Sequence, residues 1–299
     1  MMTCPEVVLE RVTAALGEVT LDNSTTVKPE VIAATGFATR RIVSPGTTLE
    51  DLMLRAATAC VDSPVLKDRL AGVIVATSTG ANRFPSIAVR IASALGLPAE
   101  TAAFDIQMAC SAYPYAVYLA GRLAADSNRA ILVVNGDVQS PFLNGADAGT
   151  AALFSDAATA TIVSSGHGEL SAAAFYSRAS DALTCSANGP IQMDGFKVFA
   201  FAATDVVKFI RPFGTAYDHF IPHQANMYMV RQLAKALGVE DKLLTCGSEF
   251  ANPGSCSIPL ALAAHPTSGR ALLAGFGAGF SAAALLVRLA ENFEGQILP

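Results

Sequence analysis

Short, uninterrupted apolar runs alternate with alanine-rich helical segments along the whole chain, and this alternation restricts it to an α/β architecture. The runs Ala71–Ala76, Phe104–Met108, Ile131–Asn135 and Ala158–Ser164 are short and rich in apolar residues. They predict strands covered on both faces. Leu49–Val61, Pro85–Leu95 and Ser111–Ala125 read as the intervening helices, with Ser86 near the start of the second and Gly96 after its end. Only 15% of the 299 residues are charged, while 52% are hydrophobic. A typical soluble domain carries about 25% charged residues, so disorder is excluded. A net charge of -5 leaves no basic footprint for nucleic acid.

The longest apolar stretch, Ala271 to Val287, is interrupted by Gly275, Gly277 and Gly279 and stops at Arg288. Glycines at period two predict a buried strand and a tight turn, not a membrane span of about 20 residues. The first turns carry Glu6, Glu10 and Arg11 and no apolar h-region, so no signal peptide is read. Six cysteines show no CxxC pair and no metal spacing with the four histidines. They predict mostly reduced, buried thiols, no metal and a cytoplasmic location.

The second half repeats the first as an ordering of elements. VIVATSTG (73–80), a helix, a turn at Cys110, a helix and ILVV (131–134) are echoed later. The echo is HFIPHQAN (219–226), a helix, a turn at Asn252, a helix and ALLAG (271–275). This predicts a division into 1–165 and 166–299. It places Cys110, His223 and Asn252 at loop ends on the same side of two related sheets, where α/β folds gather ligands.

Cys110 stands between an apolar strand and an alanine-rich helix. A helix N-terminus stabilises a thiolate and lowers its pKa. Local sequence also allows a small buried core residue. His223, in FIPHQAN (220–226), sits at a strand-to-helix junction; with a cysteine it forms a generic nucleophile–base pattern. His167, His219 and His265 lie in a Ser/Gly turn, at a strand start and before Pro266, and are weaker candidates. Asn252 is either a neutral donor aimed at developing charge or a turn residue of the N-P-G-S type. GFGAGF (275–280) is either a close backbone approach to a reacting oxygen or a strand corner, and it is no dinucleotide fingerprint. Ser155 and Asp156 lack the GxSxG elbow of a serine hydrolase.

Seven segments together resemble the thiolase-fold condensing enzymes, and among them the β-ketoacyl-acyl-carrier-protein synthase III group. They are TGFATRR (35–41), FPSIA (84–88), FDIQMACSAYPYA (104–116), IQMDGFKVF (191–199), FIPHQAN, ANPGSCSIPLALA (251–263) and GFGAGF. The resemblance implies a five-layered αβαβα sandwich of two βαβαβαββ halves, usually dimeric. It implies decarboxylative Claisen condensation of an acyl-Cys110 intermediate with a malonyl-type or β-keto acyl thioester. The backbone N–H groups of Cys110 and Ala278 would form the oxyanion hole, and His223 and Asn252 would hold the enolate. Phe84 would line a neighbour's acyl pocket across the dimer. Phe276 would gate the cysteine and, with Gly277, line the substrate pocket. Acyl-CoA or acyl-carrier-protein thioesters would be the substrates, with no permanently bound cofactor. An acyl carrier protein and a second copy, or a homologous subunit in a heterodimer, would be the partners.

The chain departs from the group at five points, one of them a short stretch between Ser164 and Pro190. VVLERVTAALGEVTL (7–21) replaces the usual opening, the segment 155–160 reads SDAATA, Met227 and Tyr228 follow FIPHQAN, and there is no Trp to stack on a coenzyme A adenine. These departures point to a specialised fatty-acid-derived or secondary-metabolite pathway, such as one making alkylquinolones or pyrones. The alternatives are acyl transfer from the same cysteine to an oxygen or nitrogen acceptor, a subunit of a heterodimeric condensing enzyme, and a cysteine hydrolase.

Overall fold

The apolar runs form strands close to where their patterning puts them, but Phe104–Met108, expected to be covered on both faces, gives an edge strand (Ala102–Ile106) with Asp105 exposed. The computed structural model describes residues 1–186 and 189–298. The first half runs β1 (Val7–Leu16), α1 (Leu49–Cys60), β2 (Leu70–Ala76), α2 (Ile87–Ala94), β3 (Ala102–Ile106), α3 (Ala112–Ser127), β4 (Ala130–Asp137) and β5 (Ala157–Ser165). Its strands lie in the order β3-β2-β4-β5-β1, with β5 antiparallel to both its neighbours and the others parallel. Helix starts follow from side-chain caps. Thr48 and Asp51 form a capping box on α1, and the Ser86 hydroxyl accepts the Val89 N–H on α2.

The second half runs β6 (Ser171–Ser177), α4 (Gly195–Phe201), β7 (His219–Pro222), α5 (Met227–Leu237), α6 (Ser257–Ala264), β8 (Gly269–Gly277) and β9 (Ser281–Leu298). Strand order is β7-β8-β9-β6, parallel only between β7 and β8. Where the first half has its third strand, this half has a single bridge between Phe220 and Leu243. The far end of β9 then runs parallel to β1, from Arg288 beside Val8 to Leu298 beside Ala15. The two arrays are thereby joined edge to edge.

Five layers follow from how the core divides. One face of the first array (Val73, Val75, Leu132, Val134) packs under α1 and α2. Its other face (Ile74, Ile131, Val133) packs on α3 and α6, which also meet Ile221, Leu273 and Leu285 of the second array. The outer face of the second array (Phe220, Leu272, Ala284) is covered by α4 and α5. A helix between two sheets is buried all round. Every residue from Ser257 to Ala263 is buried, and α3 meets the core through Ala112, Ala116, Ala120 and Ala124. This central layer explains the low charge and high alanine content. Among the described residues, no helix is long and apolar enough to cross a membrane.

Candidate active site

The three residues singled out by sequence stand at strand-to-helix junctions or helix entries, and the structure brings them to one cavity. Cys110 follows β3 in a 3₁₀ turn (Ala109–Ser111) that leads into α3; His223 follows β7; Asn252 lies in the loop entering α6. All three line the same cavity, with Phe154, Met229, Phe276 and Gly277. A second cavity meets the first at Cys110 and runs past Gln139, Phe142, Ile191 and Ala278. Phe154 and Leu183 wall both. Phe84 is 86% exposed and lines neither.

Backbone strain marks two of the three residues. Among the described residues, the non-glycine positions with positive φ are Ala109 (43°), Asn128 (53°) and Ala251 (53°). Asn128 is a left-handed helix C-cap, an ordinary use of asparagine. Ala109 and Ala251 immediately precede Cys110 and Asn252. Alanine has no local preference for a positive φ, which costs roughly 1–3 kcal/mol, so tertiary packing must hold it there. Strain of this kind collects at functional sites. Nothing in the sequence signals it.

The glycines of β8 meet a need for space. A Cβ on Gly275 would lie 2.8 Å from the Ser111 Cα and 3.0 Å from the Cys110 carbonyl oxygen. One on Gly277 would lie 2.9 Å from the Cys110 Cβ and 3.3 Å from its Sγ. β8 therefore runs flush against the Cys110 turn.

Asn252 proves to be both a turn residue and a cavity residue. Its Oδ1 accepts the Gly254 N–H at 3.0 Å, which fixes the amide and leaves the Nδ2 protons for other partners. Its backbone is pinned to the first half: Asn252 N–H donates to the Leu153 carbonyl at 3.0 Å, and Ser155 N–H donates to the Asn252 carbonyl at 2.9 Å. Asp137, at the end of β4, holds the next residues by accepting from Ser255 N–H (2.9 Å) and Ser255 Oγ (2.6 Å), and also from Ser78 N–H (2.9 Å). Sequence reasoning missed Asp137, because a carboxylate ending a buried strand shows its partners only once the halves meet. The Ser155 and Asp156 side chains are likewise structural. Ser155 Oγ accepts the Arg41 N–H, and the Asp156 carboxylate accepts from Val43, Gln139 and Ser140 N–H groups and the Ser140 hydroxyl.

The His223 Nδ1 lies 2.7 Å from the Ser257 hydroxyl, and its ring meets Phe276 edge-on at 5.5 Å. The other histidines are elsewhere. His167 is exposed, while the Nε2 atoms of His219 and His265 rest on the backbone carbonyls of Ser268 and Thr245. Among the described residues, no three His, Cys, Asp or Glu side chains gather as a metal site.

Burial decides the charge state of the site. It lowers His223 to about 3, so the imidazole is neutral across the physiological range. Cys110 is raised to about 12, first by burial and then by the Asp137 carboxylate, against one opposing hydrogen bond from its own backbone. This corrects the expectation of a lowered thiol: desolvation outweighs the helix terminus, and the resting group is a neutral thiol. All six cysteines are free, and only Cys185 is exposed.

The His223 shift has a measurable consequence. Above pH 6.5 neither the folded nor the unfolded chain protonates this imidazole. Between pH 6.5 and about 3 only the unfolded chain does. Its contribution to stability is therefore complete above pH 6.5 and is lost on acidification, at up to about 1.4 kcal/mol per pH unit. Urea denaturation from pH 7 to 4 is expected to show a shallower acid limb for His223→Asn than for the parent protein. Equal slopes would show that the imidazole is not held neutral.

Known proteins resemble this chain in sequence and fold. Residues 104–180 match the family described as 3-oxoacyl-[acyl-carrier-protein (ACP)] synthase III, and residues 215–289 match its C-terminal counterpart. The chain is 34% identical over 287 residues to a β-ketoacyl-[acyl-carrier-protein] synthase III of Streptomyces coelicolor, covering 88% of this chain and 86% of the relative. It is 32% identical over 267 residues to the synthase III of Acholeplasma laidlawii, covering 84% of this chain and 86% of that one. Among solved structures, the priming β-ketosynthase of a polyketide biosynthetic pathway superposes with a TM-score of 0.87 at 26% identity, over 97% of this chain and 99% of that one.

Proposed function

This chain belongs to the β-ketoacyl-acyl-carrier-protein synthase III family, thiolase-like acyltransferases that carry out decarboxylative Claisen condensation, and from that premise we propose that Cys110, His223 and Asn252 are its catalytic residues. The observation that carries this assignment is their meeting in one cavity, which a thiol, an imidazole and a carboxamide line together. The Cys110 Sγ attacks the acyl thioester, and the tetrahedral oxyanion is held by the Cys110 and Ala278 N–H groups. The departing thiolate takes the proton that the cysteine gives up. A malonyl-type thioester then enters. Loss of CO₂ leaves an enolate whose oxygen accepts hydrogen bonds from the His223 Nε2 and Asn252 Nδ2. Neutral, preorganised donors in a dry site favour such developing charge. The enolate carbon attacks the acyl carbonyl, and the Cys110 thiolate leaves and takes a proton from water.

The two cavities meeting at Cys110 fit this division of labour: one takes the acyl chain and the other the arm of the incoming thioester. The same reading divides the chain into a half carrying the nucleophile (1–165) and a half carrying His223 and Asn252 (166–299). It makes Phe276 the gate, with Gly277 beside it in the substrate pocket, and Phe84, on the outer surface, a contact with a second copy or homologous subunit. Acyl-CoA or acyl-carrier-protein thioesters are its substrates, and the cytoplasm is its location. The altered opening segment, the missing Trp and the likeness to a polyketide priming ketosynthase support a specialised or secondary-metabolite pathway, such as one making alkylquinolones or pyrones.

Incubation with a panel of acyl-CoA thioesters is expected to add one acyl mass to the intact protein, mapping to Cys110 and not to the exposed Cys185. Addition of malonyl thioester is then expected to discharge the adduct with release of CO₂. Discharge to an alcohol or amine without CO₂ would favour acyl transfer to oxygen or nitrogen instead. No adduct with any chain length would overturn the assignment.

A further inference from the structure

We propose that Ser257 is the positioning residue that holds His223 in the tautomer with its proton on Nε2. The proposal rests on the enolate-stabilising role given to His223 above and says how that role is secured. Ser257 is the first residue of α6 and is fully buried, as is nearly all of His223. A serine hydroxyl has one proton to give and two lone pairs. One lone pair of Ser257 Oγ accepts the Gln224 N–H at 3.3 Å. Among the described residues, the other neighbour within hydrogen-bond distance is the His223 Nδ1, at 2.7 Å.

Two proton arrangements satisfy that short contact. If Nδ1 carried the proton and donated it, the hydroxyl would hold two incoming donors and its own proton would be left without an acceptor in a dry site. Leaving a buried donor unmet is the costly arrangement. If the hydroxyl donates to Nδ1, every proton has a partner and Nε2 must carry the imidazole proton. The second arrangement turns His223 into a donor toward the cavity, which the enolate oxygen requires. Burial keeps the ring neutral, so the choice of tautomer is a real one. Gln224 does not compete for this role, because its side-chain amide is committed to the Pro222 carbonyl and to the Cys246 N–H. Phe276 fixes the ring plane edge-on but offers no polar atom.

The ring nitrogens of histidine-labelled protein report the tautomer directly by ¹⁵N NMR, with the His223 signals assigned by their loss in His223→Asn. The parent protein is expected to show a protonated Nε2 and a bare Nδ1. Ser257→Ala is expected to lose that preference and to release CO₂ from malonyl thioester about 10- to 100-fold more slowly. Acylation of Cys110 by acyl-CoA, which does not use the Nε2 proton, is expected to stay within about twofold of the parent rate. Ser257→Thr, which keeps a hydroxyl, is expected to restore both tautomer and rate. A protonated Nδ1 in the parent protein overturns the proposal without any variant having to fold. So does Ser257→Ala with parental CO₂ release. If Cys110 takes up no acyl group in the parent, the condensing assignment fails, while the NMR spectrum still decides the role of Ser257.

Discussion

Cys110→Ala is expected to take up no acyl group and to lose condensation by at least about 10³-fold, while still releasing CO₂ from malonyl thioester. The reasoning separates two sets of atoms. The acyl intermediate needs the sulfur as nucleophile, and removing a nucleophile leaves only what binding and hydrogen-bond donors achieve. Decarboxylation needs the imidazole and the carboxamide. Those groups are held by Ser257, Gly254 and the Leu153–Ser155 backbone, none of which the substitution touches. Its structural cost is the loss of one buried sulfur atom, about 1 kcal/mol on the scale of deleted core groups. The decisive measurements are intact-protein mass after acyl-CoA treatment and CO₂ evolved from malonyl thioester, made on the same preparation. Condensation at the parental rate would remove Cys110 from the mechanism. Loss of CO₂ release along with acylation would show instead that the cavity had collapsed.

How much of this could be read in the sequence depended on the range of the forces involved. Ala71–Ala76 and Ile131–Asn135 announce themselves because strands buried on both faces need continuous apolar runs, and they sit inside β2 and β4. The ends of α5 rest on local signals: Asn226 accepts the Met229 N–H at one end, and Gly238 closes the other. Cys110 and His223 stood out through their junction positions. What stayed hidden was imposed from far along the chain. Ala109 and Ala251 adopt left-handed φ because packing holds them, and alanine gives no sign of it. Asp137 looks like the end of a strand until Ser255, from the other half, meets it. Ser257 looks like any serine opening a helix until β7 places His223 beside it. The thiol was misjudged for the same reason: a helix terminus is visible in sequence, whereas the burial that outweighs it is not.

Gly275→Ala is expected to damage the site almost as severely, although residue 275 carries no reactive group. The new Cβ would meet backbone: the Ser111 Cα at 2.8 Å and the Cys110 carbonyl oxygen at 3.0 Å, with the Pro114 Cδ at 3.2 Å. A flexible side chain could turn away, but these atoms cannot. Either β8 or the 3₁₀ turn must shift. β8 is locked between β7 and β9 through pairs that include Leu273–Leu285 and Ile221–Leu273. The turn is the softer party, since it already contains the strained Ala109. The strain therefore falls on Cys110. Overpacking of this kind costs about 1–3 kcal/mol of stability, and a displacement near 1 Å costs a reaction about 10²-fold. Gly277→Ala presses on the Cys110 Cβ at 2.9 Å and its Sγ at 3.3 Å, from a position whose φ of 159° alanine rarely adopts, and should also slow acylation and lower stability. Gly145→Ala is the control: no heavy atom lies within 4 Å of its Cβ position, so stability should change by less than about 0.5 kcal/mol. Acylation rates and thermal melts of the three variants check the ordering. Parental acylation in Gly275→Ala would mean that β8, not the cysteine turn, gives way.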